Sequence, residues 1–421
     1  MFNPRVIYTF ALYLLLPYVF FHLLWRGRRQ PEYFRHIAER FGIFSIQPDK
    51  PIIWLHTVSV GETRAAASLI QRLSQTYPSH TLLLTHTTPT GRAAGEQLYG
   101  DKVIRVYLPY DYPFAVDRFL RHFKPCVGIL LETEIWFNLI HACKCQQIPL
   151  LLLNARLSER SARRYAYFPK LTHMGLGELR GIAAQTEADV QRLSTLGGEH
   201  VSVMGNLKFD IEAPAAQLEL GRQLRMLFGS NRKILLAAST RDGEEILLLE
   251  ALHHSKIDNL LLVIVPRHPQ RFNDVEKIIG HAGFTQQKRS DNTPVHADTQ
   301  VVLGDSMGEM FAYYAACDVA FIGGSLLPFG GQNLIEACAL GKPVLIGPHT
   351  YNFEQASELA IASGGALRIE NANAITPALE KLFSDWEYMH AMSTAGLRFV
   401  QENQGATSRA LTQVNAVIST S

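Results

Sequence analysis

Short runs of apolar, β-prone residues alternate with helical patterns along most of this chain. The first series of runs covers residues 52–56, 81–85, 103–108, 127–131, 150–153, 181–185 and 201–204. Amphipathic stretches fill most of the gaps. Apolar runs of strand length separated by helix-length segments predict a doubly wound parallel sheet, because a strand buried on both faces has no polar side to show. The rhythm breaks between Gly205 and Asn231, where Pro214 and Gly229 bracket a polar helix. A second series follows at 234–238, 260–265, 300–303, 319–322, 344–346 and 366–369, and the tail from Trp386 reads as one or two helices interrupted near Gly405. The organisation predicted is an N-terminal segment 1–30, an α/β domain over 31–206, a linker over 207–232, a second α/β domain over 233–385 and C-terminal helices over 386–421. A chain of 421 residues is too long for one core and suits this division.

The N-terminus does not follow the alternating pattern. Val6 to Leu24 is almost wholly apolar and about long enough to cross a bilayer, with Pro17 and His22 as interruptions. Arg26, Arg28 and Arg29 follow at once, then Arg35, His36 and Arg40. A secretory signal has the opposite order, basic residues first and a small-residue cleavage site after. The segment is expected to be a membrane anchor, either a span or a helix lying in the interface, with the body of the protein on the cytoplasmic side.

Composition adds limits rather than a function. Hydrophobic content of 47% with 19% charged residues belongs to a folded chain, and a net charge of +2 gives no polyanion signal. No nucleic-acid motif appears. Cys126, Cys143, Cys145, Cys317 and Cys338 are odd in number and mostly lie in apolar runs. Cys143-x-Cys145 has the spacing of neither a redox pair nor a zinc knuckle, so the cysteines are expected to be buried, in a reducing compartment, with no disulfide and no metal.

Chemistry is expected in the loops after strands, where ligands sit in such sheets. The run 319–322 empties into Gly323-Gly-Ser-Leu-Leu-Pro-Phe-Gly-Gly-Gln-Asn333, and a helix is predicted from Asn333 to Leu340, closed by Gly341 and Pro343. Strand, glycine loop and helix start let backbone N–H groups approach an anion. Asn333 and Glu336 share one helical face beside it. Pro266-Arg267-His268 places an arginine after a strand, suited to a phosphate. Gly304-Asp-Ser-Met307-Gly308-Glu309 and Ser239-Thr-Arg241-Asp-Gly243 repeat the theme of small residues before a helix, and Ser306-x-x-Glu309 also fits a capping box. A Walker loop and a dinucleotide fingerprint are both absent. In the first half the post-strand loops carry carboxylates instead. Ser59-Val-Gly-Glu62 is either a capping box or a general base at the mouth of the sheet, and the helix N-terminus there favours the ionised form. Glu132-Thr-Glu134 puts two carboxylates at a strand end, which read either as catalytic, with one of them facing the cleft, or as ordinary helix-start acidity. Asn206-Leu-Lys208-Phe-Asp210 lies at the domain junction, where the lysine is either solvated or reaches into the cleft. Arg156, Arg160, Arg163, Arg164 and Lys170, interleaved with Tyr165, Tyr167 and Phe168, read as a solvated face or as a surface for anionic headgroups.

Taken together, Ser59–Glu62, Leu108–Asp111, Glu132–Glu134, Asn154–Ser158, Leu207–Asp210, Pro266–His268, Met307–Glu309 and Gly330–Asn333 resemble the 3-deoxy-D-manno-octulosonic acid (Kdo) transferases of lipopolysaccharide core synthesis, in matching order from anchor to tail. The resemblance implies an α/β GT-B fold, two Rossmann-like domains facing a cleft, with an N-terminal membrane-anchor helix. It implies transfer of Kdo from CMP-Kdo to the lipid A disaccharide precursor at the inner membrane, with inversion and with no metal or other cofactor. Under it the 31–206 domain binds the acceptor and the 233–385 domain binds CMP-Kdo. Glu62 is then the proton acceptor, and Glu132 and Lys208 stabilise the transition state. Pro266 and Arg267, Met307, Gly308 and Glu309, and Asn333, Leu334, Ile335 and Glu336 hold CMP. At Arg241 and Gln332 the chain departs from members that carry histidine.

Overall fold

The computed structural model describes residues 3–253 and 255–419, so the outermost residues of the expected 1–30 and 386–421 segments lie outside it. The chain folds as two compact units, one of residues 1–210 and 404–421, the other of residues 211–403.

The first unit is built on β1 (Ile52–His56), β2 (Thr81–His86), β3 (Ile104–Tyr107), β4 (Pro125–Leu131), β5 (Leu150–Ala155), β6 (Gly181–Ala184) and β7 (Val201–Val203). They form one parallel sheet in the order β3-β2-β1-β4-β5-β6-β7. The first strand therefore lies inside the sheet, and the chain order reverses between β1 and β4. The carboxyl ends of those two strands flank the crevice where such sheets take their ligands. Trp54 on β1 is fully buried, and its indole N–H donates to Thr85 Oγ1 at 2.8 Å. Across from it stands Gly128, where a Cβ would come within 2.7 Å of the indole. Only a glycine lets β4 pack there.

The second unit repeats the plan with β8 (Lys233–Thr240), β9 (Leu260–Pro266), β10 (Gln286–Lys288), β11 (Val301–Leu303), β12 (Val319–Ile322), β13 (Val344–Ile346) and β14 (Ala366–Arg368). Its parallel sheet runs β10-β11-β9-β8-β12-β13-β14, with the switch between β8 and β12. The expected strands are all present within one or two residues. The additional one, β10, is the polar edge strand Gln-Gln-Lys, which has no apolar run to announce it.

The segment 207–232 is ordered structure. Asp210 closes the first unit, and the helix Ala215–Phe228 belongs to the second, where Gly221 meets Ala312 and Ala315. The tail divides too. The helix Trp386–Asn403 lies in the second unit, whereas the helix Ala406–Ile418 covers a face of the first sheet with Ala410, Val414 and Val417. Burying each such valine stabilises by roughly 2 kcal/mol. Asp210 anchors that helix by accepting the N–H groups of Gly405 (2.6 Å) and Thr407, an N-cap supplied from far along the chain.

The expected continuous N-terminal anchor helix is not present. Residues 4–29 form two helices, α1 (Pro4–Leu14) and α2 (Leu16–Arg29), bent by 48°. Among the described residues no single helix is long and apolar enough to cross a bilayer, though this bent pair reaches that length and composition together. Pro17 accounts for the break, since it has no N–H to bond Tyr13 and its ring crowds that carbonyl. Moreover, α1 is docked on its own unit through polar groups. The Tyr8 hydroxyl donates to Asp111 Oδ2 at 2.9 Å, Thr9 donates to Asn138 Oδ1 at 2.8 Å, and the Tyr112 hydroxyl donates to the Leu12 carbonyl at 3.1 Å.

Candidate active site

At the end of β1 the chain turns through Thr57 and Val58 into the short helix α3 (Val60–Ala65), capped by Ser59. The capping box predicted there exists: the Ser59 hydroxyl oxygen accepts the Glu62 N–H at 3.3 Å. The Glu62 carboxylate reaches back to accept from the Val58 N–H at 2.6 Å and from the Ser59 hydroxyl at 2.9 Å. The carboxylate is half-buried at the mouth of the sheet. Sequence position favoured the ionised form, but the balance goes the other way. Burial pushes the Glu62 carboxyl above the usual carboxylate range. The Val58 and Ser59 donors oppose this, while the charges of Glu132 and Glu134 push the same way as burial.

Glu132 follows β4, across the switch point from Glu62. Its backbone is left-handed, with φ of +62°, an unfavourable conformation for a residue with a Cβ. The Glu132 N–H donates to the Leu153 carbonyl at 3.1 Å, which fixes the turn. Glu134 is tied down differently. Its Oε2 accepts the Trp136 indole N–H at 2.7 Å and lies 3.7 Å from His56 Nε2. His56 is fully buried at the end of β1, with Nδ1 2.9 Å from Thr85 Oγ1 and no hydrogen-bond partner for Nε2. The site thus gains a buried imidazole that sequence reasoning missed, because a histidine ending an apolar strand resembles any other strand residue. Its neighbour His86, bonded to Thr57, is held down to about 3 by burial and stays neutral.

Lys208 follows β7, yet its segment is drawn back toward β5. Asn154, at the end of β5 with φ of +54°, accepts the Leu207 N–H at 3.1 Å through Oδ1. Gln185 donates to the Asn154 carbonyl at 3.0 Å and accepts from Asn206, whose own Oδ1 accepts the Lys208 N–H at 3.0 Å. So Glu62 and Glu132 share one electrostatic neighbourhood, and Lys208 is held on the same edge of the sheet. Asp111, from another of the quoted motifs, is buried away from solvent. It accepts the N–H groups of Asn138 (3.0 Å) and Leu139 (2.8 Å) at the start of the helix Phe137–Cys145, besides the Tyr8 hydroxyl. Burial pushes it up to about 7 against those three donors. It is a structural joint between α1 and the sheet.

In the second unit the residues expected to hold a nucleotide lie at carboxyl ends of strands, in the loops that follow them or in the first turn of the next helix. Pro266 ends β9, and the Arg267 N–H donates to the Thr240 carbonyl at 3.0 Å. Arg241, after β8, donates to His268 Nε2 at 3.2 Å and lies over the Phe329 ring at 4.8 Å. Burial and the nearby charges of Arg241, Arg267 and Arg271 keep His268 below its ordinary range, so the imidazole accepts rather than competes. Arg271 is paired with Glu245 and Asp242.

Met307 is exposed and Gly308 has φ of +80°, but the following helix starts only at Met310. Ser306 donates to Glu309 Oε2 at 2.6 Å, and Arg289, which the sequence reading passed over, pairs with the same carboxylate at 3.3 Å.

The glycine loop differs most from expectation. Two of its N–H groups, those of Gly324 (2.6 Å) and Leu326 (3.0 Å), are taken by Glu244, a fully buried carboxylate that also accepts the Arg241 N–H at 2.9 Å. The loop is drawn against β8 so closely that a Cβ on Gly323 would lie 2.4 Å from the Ser239 carbonyl. Beyond it, Asn333 Nδ2 donates to Glu336 Oε1 at 3.0 Å and Asn333 Oδ1 accepts the Ile335 N–H, so the helix begins at Ile335 rather than Asn333. Leu334 and Ile335 are buried; they offer a ligand main-chain groups rather than side chains.

Comparison with known proteins follows the same division. A family profile described as 3-deoxy-D-manno-octulosonic-acid transferase (kdotransferase) matches residues 35–211, and one described as glycosyl transferases group 1 matches residues 245–399. The chain is 40% identical to a 3-deoxy-D-manno-octulosonic acid transferase of Bordetella pertussis over 97% of its own length and 98% of the relative's. It is 37% identical to the protein of the same name from Haemophilus influenzae, over 97% of each. Among solved structures, UDP-GlcNAc 2-epimerase from Neisseria meningitidis superimposes with a TM-score of 0.60 at 18% identity, covering 87% of this chain and 100% of that one, which is a likeness of fold alone.

Proposed function

The chain belongs to the Kdo transferase family, and from that premise we propose that its first unit activates the acceptor while its second holds CMP-Kdo. It is a glycosyltransferase that moves Kdo in lipopolysaccharide core synthesis. The acceptor is the lipid A disaccharide precursor. Its hydroxyl oxygen attacks the anomeric carbon of Kdo, the bond from that carbon to the CMP phosphate oxygen breaks, and the hydroxyl proton passes to Glu62. Attack opposite the departing phosphate inverts the anomeric centre. Between bond breaking and bond making the sugar is oxocarbenium-like, and the Glu132 carboxylate stabilises that positive charge. Lys208 offsets the negative charge of the Kdo carboxylate or of the phosphate. Arg267 and the main chain of Met307–Glu309 bind the CMP phosphate and base, and Asn333 with Glu336 binds the ribose hydroxyls.

The observation that carries this reading is the setting of Glu62. A carboxylate at a helix N-terminus is ordinarily too weak a base to deprotonate an alcohol. Burial and two neighbouring carboxylates raise its basicity toward the working pH. The bent pair α1–α2 rests in the membrane interface instead of crossing it. Three features support this: polar docking of α1 on its own unit, exposed Phe10, Leu14, Phe20 and Phe21, and the Arg26–Arg29 cluster at the end of α2. Exposed Tyr167 and Phe168 beside Arg163 and Arg164 extend the same surface chemistry.

The test is to incubate purified Glu62→Ala with CMP-Kdo and the lipid A precursor and to weigh the lipid by mass spectrometry. CMP binding stays intact and Kdo transfer is lost; full transfer by that variant would falsify the general-base assignment.

A further inference from the structure

The cysteines were expected to be buried, and four are buried or half-buried, but Cys145 is exposed at the end of the helix Phe137–Cys145. Its sulfur lies 3.2 Å from His141 Nε2, one turn back on the same helix face. The other nitrogen of that ring, Nδ1, lies 2.9 Å from Glu178 Oε1, which comes from the turn after the helix Pro169–Gly177. An ionised carboxylate only accepts, so Nδ1 carries the ring proton and Nε2 presents its lone pair to the thiol. Nucleophile, base and orienting carboxylate thus stand in hydrogen-bond sequence, apart from the residues assigned to Kdo transfer.

We propose that Cys145 is a reactive thiol, activated by His141 and oriented by Glu178, that exchanges with low-molecular-weight disulfides. The helix C-terminus opposes a negative charge on the sulfur, so the activation comes from the imidazole taking the proton and Glu178 stabilising the imidazolium. The thiolate attacks one sulfur of the disulfide. A new sulfur–sulfur bond forms, the old one breaks, and the other half leaves as a thiolate that takes the proton from His141. The small disulfide is the oxidant: Cys145 is oxidised to the mixed disulfide and the departing half is reduced to a thiol. Cys143, two residues back, is buried and faces another side of the helix, so it cannot resolve the mixed disulfide. The other thiols offer no competing nucleophile: burial raises those of Cys126 and Cys143 and pushes those of Cys317 and Cys338 up to about 12.

The experiment treats the full chain with limiting iodoacetamide and, separately, with oxidised glutathione, then digests with trypsin. Cleavage after Lys144 puts Cys143 and Cys145 on different peptides. Cys145 is expected to label first and to carry a single glutathione. His141→Asn should slow its alkylation severalfold, because the base that takes the thiol proton is gone. Glu178→Gln should slow it less. Unlabelled Cys143 in each variant reports that the fold is intact. Equal labelling of Cys145 and Cys126, or an unchanged rate in folded His141→Asn, would overturn the proposal.

Discussion

Glu62 and Glu244 occupy corresponding places in the two units and are held in opposite ways. Each follows the first strand of its parallel sheet, β1 or β8, beside the switch point. Burial raises the carboxyl of both. Glu62 is half-buried, spends its oxygens on one backbone N–H and one hydroxyl, and faces two like charges. Glu244 is fully buried and accepts three backbone N–H groups, from Arg241, Gly324 and Leu326, that tie two loops together. A buried carboxylate held by three fixed backbone donors is a pin. One with a solvent-facing side and repelling neighbours is available to take a proton. Exposure and donor count separate the two roles, although position in the fold is shared.

The contrast is tested most severely by turnover. Glu62→Ala should lower kcat by about 10²–10⁴-fold, the usual worth of a positioned general base, measured as Kdo transferred per enzyme. Glu244→Gln keeps one acceptor oxygen and sets an N–H₂ against backbone N–H groups. It should cost on the order of 3 kcal/mol in unfolding free energy, read from a denaturant midpoint, with Glu62→Gln costing much less. The comparison breaks if Glu244→Gln loses turnover with an unchanged midpoint. A third measurement is the acid limb of the kcat profile. As the proposed base, Glu62 would act only when ionised, and its carboxyl is raised, so activity is expected to fall as pH drops through a point above the ordinary carboxylate range. Glu132→Gln removes a like charge and should move that limb to lower pH. The smallest effect is expected of Ser59→Ala, which removes one of the two donors holding Glu62. It should raise the limb slightly and cost less than about tenfold in kcat; a larger loss would give Ser59 a direct role.

Much of this was legible along the chain. Parallel strands buried on both faces are continuous apolar runs, so the expected strands stood out, and β10, a polar edge, did not. The loops bearing Glu62, Glu132, Arg267 and Asn333 were marked by their place after those runs. What stayed hidden depended on partners far off in sequence. Glu244 reads as an ordinary acidic helix start until the loop eighty residues on closes over it. Arg289 reads as a loop arginine until it meets Glu309. The apolar length of residues 6–24 was plain, but whether it forms one helix was settled by Pro17 and by the Tyr8–Asp111 contact.

Composition and periodicity determined the architecture and the order of strands and loops, because those depend on local backbone geometry and on which side chains water excludes; the family was carried by the resemblance of the motifs in those loops. Tertiary structure decided the charge and availability of each group. Those depend on burial and on the count of donors within about 3 Å, and both are supplied by residues that meet only when the sheets close.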